Sequence, residues 1–398
     1  MQRVACVARG KLSVLPGEGA PNEKAEPREL ESPYVEQMRR REAQQRRKNA
    51  WKSEGSGARF MAGGGRAALW GDNGESAYDL PPARFIGVAR GRSADELFYA
   101  ISTGVVSGVF GRSFGQSDDE HRIFHDADTK IEDLSFNPER ETFAFTVQGK
   151  AGSTSLAILG DDGRGIRTVT EGDALDRAPR WVPGENRIVY SSAGIGRTES
   201  GHFSGLAPFA VQRLCLDSGT VDTLLADGQF DYLAPVAVSA EEVYAIRRPY
   251  RAPNASTPFY KVLLDLLLAP FRLIYAVFQY LNFFTARYTG KPLSTSGNAR
   301  QKAADARQMM VWGNLVDVAQ DADREASKET RGTVNSRYEL VAITPKGVRS
   351  LAKSVLAFDV SPDGTVFYST GSAIVRLANG KSRQLADLER VEHVCVCC

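Results

Sequence analysis

Short β-type runs that recur in groups of four are the feature that most constrains the fold of this chain. From Arg84 onward, runs rich in Val, Ile, Phe, Tyr and Thr alternate with Asp-Gly, Asn-Gly, Ser-Gly or Pro-Gly pairs, a pattern typical of strands joined by tight turns. The clearest group spans residues 177–228 and reads APRWVPG, RIVYSSAG, FAVQRLCLDSG and TVDTLLADG. Such repetition indicates similar sheets that bury one another.

Further groups repeat this pattern along the chain, at residues 84–127, 131–172, 230–353 and 355–387. Asp162-Gly163 and Asn379-Gly380 fall where the outer hairpins are expected, and both pairs favour tight hairpin turns. The pattern predicts five four-stranded units. A sixth stays open in the N-terminal region, where GARFMAGG is the strand-like piece, and the final VEHVCVC is the strand expected to close a ring.

Three segments carry a resemblance to a known repeat, namely RWVPGENRIVYSSAG, LSFNPERETFAFTV and FDVSPDGTVFYSTG. They resemble the W-SPDG-x-I-x-Y/F-S segment of TolB-like, PD40-type β-propeller repeats, and the last one keeps Ser361-Pro362-Asp363-Gly364 whole. This turn suits the connection between two strands, because Pro presets φ and Gly accepts the positive φ that follows. The resemblance implies an all-β propeller of five or six blades, and a scaffold that binds a protein partner within a multi-component assembly.

The composition limits the classes of function. Lys and Arg number 50 against 48 Asp and Glu, and this balance argues against nucleic acid as a partner. The five cysteines do not form the even-numbered set of a disulfide framework, and the first residues lack the apolar run of an export signal. We therefore predict a cytoplasmic protein, with peripheral contact at the inner face of a membrane left open.

An apolar segment interrupts the fourth unit at residues 252–333, between two strands of one blade. A single membrane crossing at residues 258–287 would separate the halves of that blade, so an inserted helix is predicted, with a second, more polar helix over residues 298–331. The first helix has three open roles: an in-plane membrane anchor, a docking surface for an apolar partner, or a cap on the propeller. Its predicted contact residues are Phe259, Leu263, Leu267, Phe271, Ile274, Phe278, Leu281 and Phe284.

Residues 1–82 are predicted to be a flexible, partly helical extension outside the propeller, which then spans residues 83–398. Gly, Pro and charged residues dominate this extension, and residues 32–52 have helix-forming composition without an apolar face. The helix carries a basic run that is available to solvent, anionic lipid or RNA, formed by Arg39, Arg40, Arg41, Arg46, Arg47 and Lys48.

No catalytic residue, cofactor site or metal site is predicted from the motifs. Residues 111–115 match G-x-S-x-G but lack the helix that follows a nucleophilic serine. His121 and His125 are too far apart along a strand to share an ion. The chain is therefore predicted to be non-enzymatic. The alternative is a lactonase- or hydrolase-like propeller that uses carboxylates at a central tunnel.

The cysteines near the C-terminus allow several interpretations. Cys395 and Cys397 alternate with valines in the predicted closing strand, so with Val391 and His393 they are expected to line one face as small buried thiols. Lipidation of Cys397 and Cys398, or a redox or metal role for the cluster, are the alternatives.

Overall fold

Almost every element of this chain is a β-strand, and helix is confined to residues 33–38, 40, 41 and 44 within the described part. The structure, a computed structural model, describes residues 2–17, 24–38, 40, 41, 44, 83–104, 106–114, 119–149, 152–251, 308–311, 314–317 and 334–397. Within these residues no helix is long and apolar enough to cross a membrane.

The first three four-stranded sheets cover the N-terminal half of the described residues. Sheet 1 joins β1 (Arg3–Ala8), β2 (Lys11–Pro16) and β3 (Arg28–Leu30) to the last strand, β27 (Val391–Cys397). Sheet 2 contains β4 (Arg84–Arg90), β5 (Glu96–Ser102), β6 (Ser107–Ser113) and β7 (Glu120–Asp126). Sheet 3 contains β8 (Ile131–Asn137), β9 (Thr142–Gln148), β10 (Thr154–Gly160) and the short β11 (Arg167–Thr168), and a single parallel pair, Thr154 with Leu175, joins it to the sheet that follows.

Three further sheets follow. Sheet 4 contains β12 (Ala174–Trp181), β13 (Arg187–Arg197), β15 (Ala210–Cys215) and β16 (Val221–Leu225), and β14 (Phe203–Leu206) pairs with the far end of β13. Sheet 5 contains β17 (Phe230–Ala237), β18 (Val243–Pro249), β21 (Glu339–Thr344) and β22 (Gly347–Lys353). Sheet 6 contains β23 (Ala357–Val360), β24 (Val366–Ser369), β25 (Ala373–Ala378) and β26 (Lys381–Asp387).

The six sheets form a closed ring through their first strands. Strands β27, β4, β8, β12, β17 and β23 contact one another in this order, and β23 contacts β27 again. Trp181 and Val360 end β12 and β23, which are equivalent first strands of two sheets, as the repeat pattern predicts. Each sheet buries its two faces against its two neighbours in the ring. Every sheet therefore needs a similar apolar pattern, which explains the repeated four-strand groups in the sequence.

The interfaces between neighbouring sheets hold the hydrophobic core. Sheets 2 and 3, for example, meet through Phe98, Phe136 and Phe143, whose ring centroids lie 4.6–4.9 Å apart. Phe98 and Phe143 are fully buried, and edge-to-face contacts of this kind stabilise aromatic pairs beyond their burial.

The turn chemistry predicted from the sequence is present. Ser361-Pro362-Asp363-Gly364 joins β23 to β24, the two inner strands of sheet 6, with Gly364 at φ 81°. Asn379 and Gly380, at φ 51° and 73°, form the hairpin between β25 and β26, as an Asn-Gly pair favours.

Sheet 1 differs from the prediction for residues 1–82. Residues 3–30, assigned to an extension, supply three strands, of which β1 pairs with the C-terminal strand β27. Their hairpin turns at Arg9-Gly10, with φ of 53° and 71°. An Arg-Gly pair is not among the usual hairpin signals, so the sequence pattern missed it. The predicted closing role of VEHVCVC agrees with the pairing of β27. The segment GARFMAGG lies outside the described residues.

The short helix beginning at residue 33 follows sheet 1 and packs on sheet 2. Ser32 accepts a hydrogen bond on Oγ from the Val35 N–H at 3.3 Å, which caps the helix. Val35 is buried, and Tyr34 and Met38 pack against the same core cluster. The predicted absence of an apolar face was therefore wrong for this first turn.

The insertion of residues 252–333 leaves the ring between β18 and β21, inside one sheet as predicted. Strands β19 (Gln308–Val311) and β20 (Asn314–Asp317) pair with each other within it. The polar helix predicted over residues 298–331 was therefore wrong at these positions. The apolar helix at residues 258–287 lies outside the described residues.

Candidate functional site in the central channel

A channel runs through the middle of the ring and has a cavity volume of about 670 Å³. Residues from all six first strands or their flanks line it, so every sheet contributes to its wall. The volume falls within the range of ordinary ligand pockets. The charged lining residues within the described part are Arg9, Arg84, Arg177, Arg180, Arg390, Glu132, Asp133, Glu392 and His393.

Backbone irregularities concentrate on this channel. Five of the six first strands carry a register shift in the pairing with their second strand. On the first strands, the residues without a paired partner at these shifts are Ile86, Asp133, Leu134, Ala178, Pro179, Ala234, Pro235 and Glu392. All of them except Pro235 line the channel. Bulges of this kind bend a strand and redirect its side chains, and they are common beside functional sites.

Three of these bulged residues also carry backbone strain. Asp133, Ala178 and Ala234 adopt φ of 54°, 51° and 49°, a region that costs a residue with a side chain about 1–3 kcal/mol. The strain is maintained by surrounding packing and hydrogen bonds. Its concentration on a channel wall is typical of a binding site.

Asp133 organises the inner part of the channel. Its Oδ2 accepts hydrogen bonds from the Ala178 N–H at 3.0 Å and from the Thr146 hydroxyl at 3.1 Å, which ties sheet 3 to sheet 4. Arg177 approaches with its Nε at 3.6 Å from Asp133 Oδ2, while its NH2 group donates to Glu132 at 2.6 Å. One arginine therefore contacts both carboxylates of β8 and offsets one of their two negative charges.

The pKa values of the inner groups follow from this arrangement. Burial alone would raise the pKa of Asp133, but Arg177, His393 and its two hydrogen bonds lower it below its ordinary value. Burial lowers the pKa of His393; Asp133 opposes this effect, while Arg180 and Arg177 add to it. Asp133 is therefore ionised and His393 neutral at neutral pH.

Glu392 occupies a different environment in the outer part of the channel. It is accessible from the channel but enclosed by protein, and this desolvation raises its pKa, although Arg84 and Arg390 act in the opposite direction. Within the described residues, neither Arg84 nor Arg390 forms an ion pair or a side-chain hydrogen bond with a neighbour. The two guanidinium groups are therefore available to a ligand.

Most of the residues predicted to contact a partner are not in the described part of the chain. All eight apolar residues of the insertion lie outside it, and so do Arg39, Arg46, Arg47 and Lys48. Arg40 and Arg41 are exposed on the N-terminal helix, where Arg40 donates to Glu36 at 3.1 Å. Neither Arg40 nor Arg41 lines the channel.

The motifs excluded on sequence grounds have the structure expected of them. Gly111 to Ser113 belong to strand β6, and Gly380-Lys381-Ser382 lies at the start of β26 in a hairpin. Within the described residues, no group of three His, Cys, Asp or Glu side chains is placed to hold a metal ion.

The channel residues were missed by sequence reasoning, although two signals existed. Charged pairs such as Glu132-Asp133 and Glu392-His393 interrupt otherwise apolar first strands. Ala-Pro occurs inside both β12 and β17, at residues 178–179 and 234–235. Because proline cannot donate to a β-ladder, a proline within a central strand indicates a bulge.

The cysteines of β27 are buried. Cys395 and Cys397 lie in the core between sheets 1 and 2, as small buried thiols. Val391 belongs instead to the core between sheets 6 and 1, because the bulge at Glu392 changes the face of the strand. The expectation that all four residues share one face was therefore wrong for Val391.

We predict that Cys215 is the most reactive of the four described cysteines. Hydrogen bonds from Ser218 and its backbone N–H, with help from Arg187, lower the pKa of Cys215 to about 7. Burial raises the pKa of Cys6, and a hydrogen bond with Cys397, together with burial, raises the pKa of Cys395. Brief iodoacetamide treatment at neutral pH, read by peptide mass spectrometry, should label Cys215 well before the others. Equal labelling of Cys6 or Cys395 in folded protein would contradict the buried thiols of sheet 1.

A closed ring of four-stranded sheets around a channel defines this chain as a β-propeller by fold. It is similar to TolB from Acinetobacter baumannii, with a TM-score of 0.51 at 11% identity, over 99% of this chain and 66% of that one. A chain of the nidogen/laminin complex aligns with a TM-score of 0.48 at 9% identity, covering 100% of this chain and 99% of that chain. A putative TolB from Agrobacterium tumefaciens gives 0.42 at 10% identity, covering 78% and 85%.

The similarity to TolB concerns the fold alone at this level of identity. It agrees with the propeller architecture that the repeated segments predict from the sequence. No protein-family model matches the chain. No curated protein matches it either.

Proposed function

We propose that this chain is a six-bladed β-propeller scaffold that binds a protein partner without catalysing a reaction. The observation that carries the proposal is the closed ring, in which β27 completes sheet 1 and six first strands contact one another in turn. A closed ring fixes the positions of its loops and insertions, and such surfaces tolerate the variation that partner recognition requires.

The insertion between β18 and β21 is our proposed contact surface. It is rooted in a buried part of the ring, because Tyr250 donates its N–H to the Gln229 carbonyl at 2.8 Å and its hydroxyl to the Leu206 carbonyl. Val334 is also buried at the return point. An apolar segment held at both ends by a rigid sheet is well suited to docking on a partner or on a membrane surface.

Deleting residues 258–290 should abolish capture of the partner while leaving the ring folded. Pull-down with the intact chain and the deletion variant, each checked for a cooperative thermal transition, measures this effect. A matched variant replaces Phe259, Phe271 and Phe278 by serine and keeps the chain length.

Flotation with phosphatidylglycerol vesicles distinguishes docking on a protein partner from docking on a membrane. Loss of flotation in the deletion variant, with partner capture retained, would assign the segment to the membrane. Unchanged capture and flotation would contradict the proposed role of the insertion.

We also propose a reducing, cytoplasmic location. The four cysteines within the described residues are all free thiols, and structural disulfides are typical of oxidising compartments.

A further inference from the structure

We propose that the central channel is a binding site for carboxylate anions, held by Arg84, Arg390 and Arg180. The inference does not depend on the proposed scaffold function, because the channel can bind a free organic acid as well as the acidic side chains of a protein. Both sources present the same chemical group, and the experiment below distinguishes them.

The charge of the channel carries the inference. Five arginines and three carboxylates line it within the described residues. Arg177 is already engaged by Glu132 and Asp133, and Arg9 pairs with Glu389 at the mouth. The remaining arginines, Arg84, Arg180 and Arg390, carry three positive charges, against Glu392 in the lining and Asp359 beside Arg180.

Arg180 is only weakly engaged by its neighbour. Its NH1 group lies 4.0 Å from Asp359 Oδ1, beyond hydrogen-bond distance. The other oxygen of Asp359 accepts the Val396 N–H at 2.8 Å, which fixes that carboxylate in the wall. Arg180 can therefore turn toward a ligand while Asp359 keeps its structural role.

Arg84 and Arg390 line the same cavity as Glu392 and belong to two different chain segments. Arg84 begins β4 and Arg390 immediately precedes β27, and both act electrostatically on Glu392. Guanidinium groups bind carboxylates with paired, charge-assisted hydrogen bonds. Beside Glu392, a monoanionic carboxylate meets less repulsion than a dianionic phosphate, and this difference selects carboxylates.

The strained wall supports the same conclusion. Asp133, Ala178 and Ala234 hold unfavourable backbone angles around the cavity. Each of the three lies in a register shift between the first and second strands of its sheet. Strained backbone in three separate sheets lowers the stability of the fold, and a purely structural tunnel has no need of it. A preformed ligand site does require such a fixed wall.

The test is isothermal titration calorimetry on the full chain with the monocarboxylate lactate, with an amidated hexaglutamate peptide and with inorganic phosphate. Saturable binding of lactate or of the peptide is expected, and it should weaken as salt is raised. The variant Arg84→Gln/Arg390→Gln should lower the affinity by about tenfold or more. The matched control Arg140→Gln/Arg167→Gln removes the same charge from the exposed outer surface and should leave the affinity nearly unchanged.

The possible outcomes divide clearly. Binding of lactate alone assigns a small-molecule site, and binding of the peptide alone assigns an acidic segment of a partner; either result supports the inference. No binding of either probe, tighter binding of phosphate, or equal loss in the two double variants would overturn it. Partner capture that survives Arg84→Gln/Arg390→Gln would leave the scaffold function standing.

Discussion

Replacing Asp231 by alanine is expected to lower the free energy of unfolding by about 3–5 kcal/mol. Asp231 and Arg248 form an ion pair at 2.9 Å between sheet residues whose side chains are only 5% and 4% exposed. Asp231 also accepts the Phe209 N–H at 3.0 Å, which connects sheet 5 to sheet 4. The substitution removes the carboxylate that pairs with the buried Arg248 and accepts the Phe209 N–H, and urea denaturation monitored by tryptophan fluorescence measures the loss.

Two controls make the Asp231 prediction specific. The pair of Asp173 and Arg197 is open to solvent, with Asp173 side chain 47% exposed, so Asp173→Ala should cause a much smaller loss. The double variant Asp231→Leu/Arg248→Met removes both charges and should be more stable than Asp231→Ala, because no charge stays buried alone. If Asp231→Ala and Asp173→Ala had equal effects, the buried pair would not hold the two sheets together.

The strands of sheets 2 to 6 could be predicted because their signals are local. Alternating apolar residues and turn pairs such as Asn379-Gly380 specify a strand or a hairpin within a few residues of sequence. The hairpin of β1 and β2 uses the same geometry at Arg9-Gly10, but its turn lacks the usual residues. Its partner β27 is far away in sequence, so no local pattern could indicate that residues 3–30 complete the ring.

The channel could not be predicted because it is a product of closure. Arg84, Asp133, Arg180 and His393 belong to four different sheets, and only the ring brings them together. Taken one at a time, each is a charged residue in a short strand, which is common on any protein surface. The Ala-Pro pairs in β12 and β17 were a usable signal for bulges, but they do not show that bulges from several sheets face one cavity.

Removing residues 391–398 is expected to abolish cooperative folding of the ring. The deletion takes away β27, which pairs with β1 along its length and contacts both β23 and β4. It also removes the Val396 N–H that Asp359 accepts, and the buried side chains of Val394 and Val396. Sheet 1 would then lose its first strand and the ring would open, because the ends of the chain are joined only through this sheet. Differential scanning calorimetry measures the transition.

The control for this deletion keeps the strand and removes its thiols. Cys395→Ala/Cys397→Ala should retain a cooperative transition with a loss of about 1–3 kcal/mol, since both sulfurs are buried in the core between sheets 1 and 2. A synthetic peptide with the sequence VEHVCVCC should restore the transition of the truncated chain by adding the missing strand. An unchanged melting transition after deletion would mean that β27 does not close the ring. Failure of the double alanine variant to fold would instead show that thiol packing is the essential contribution.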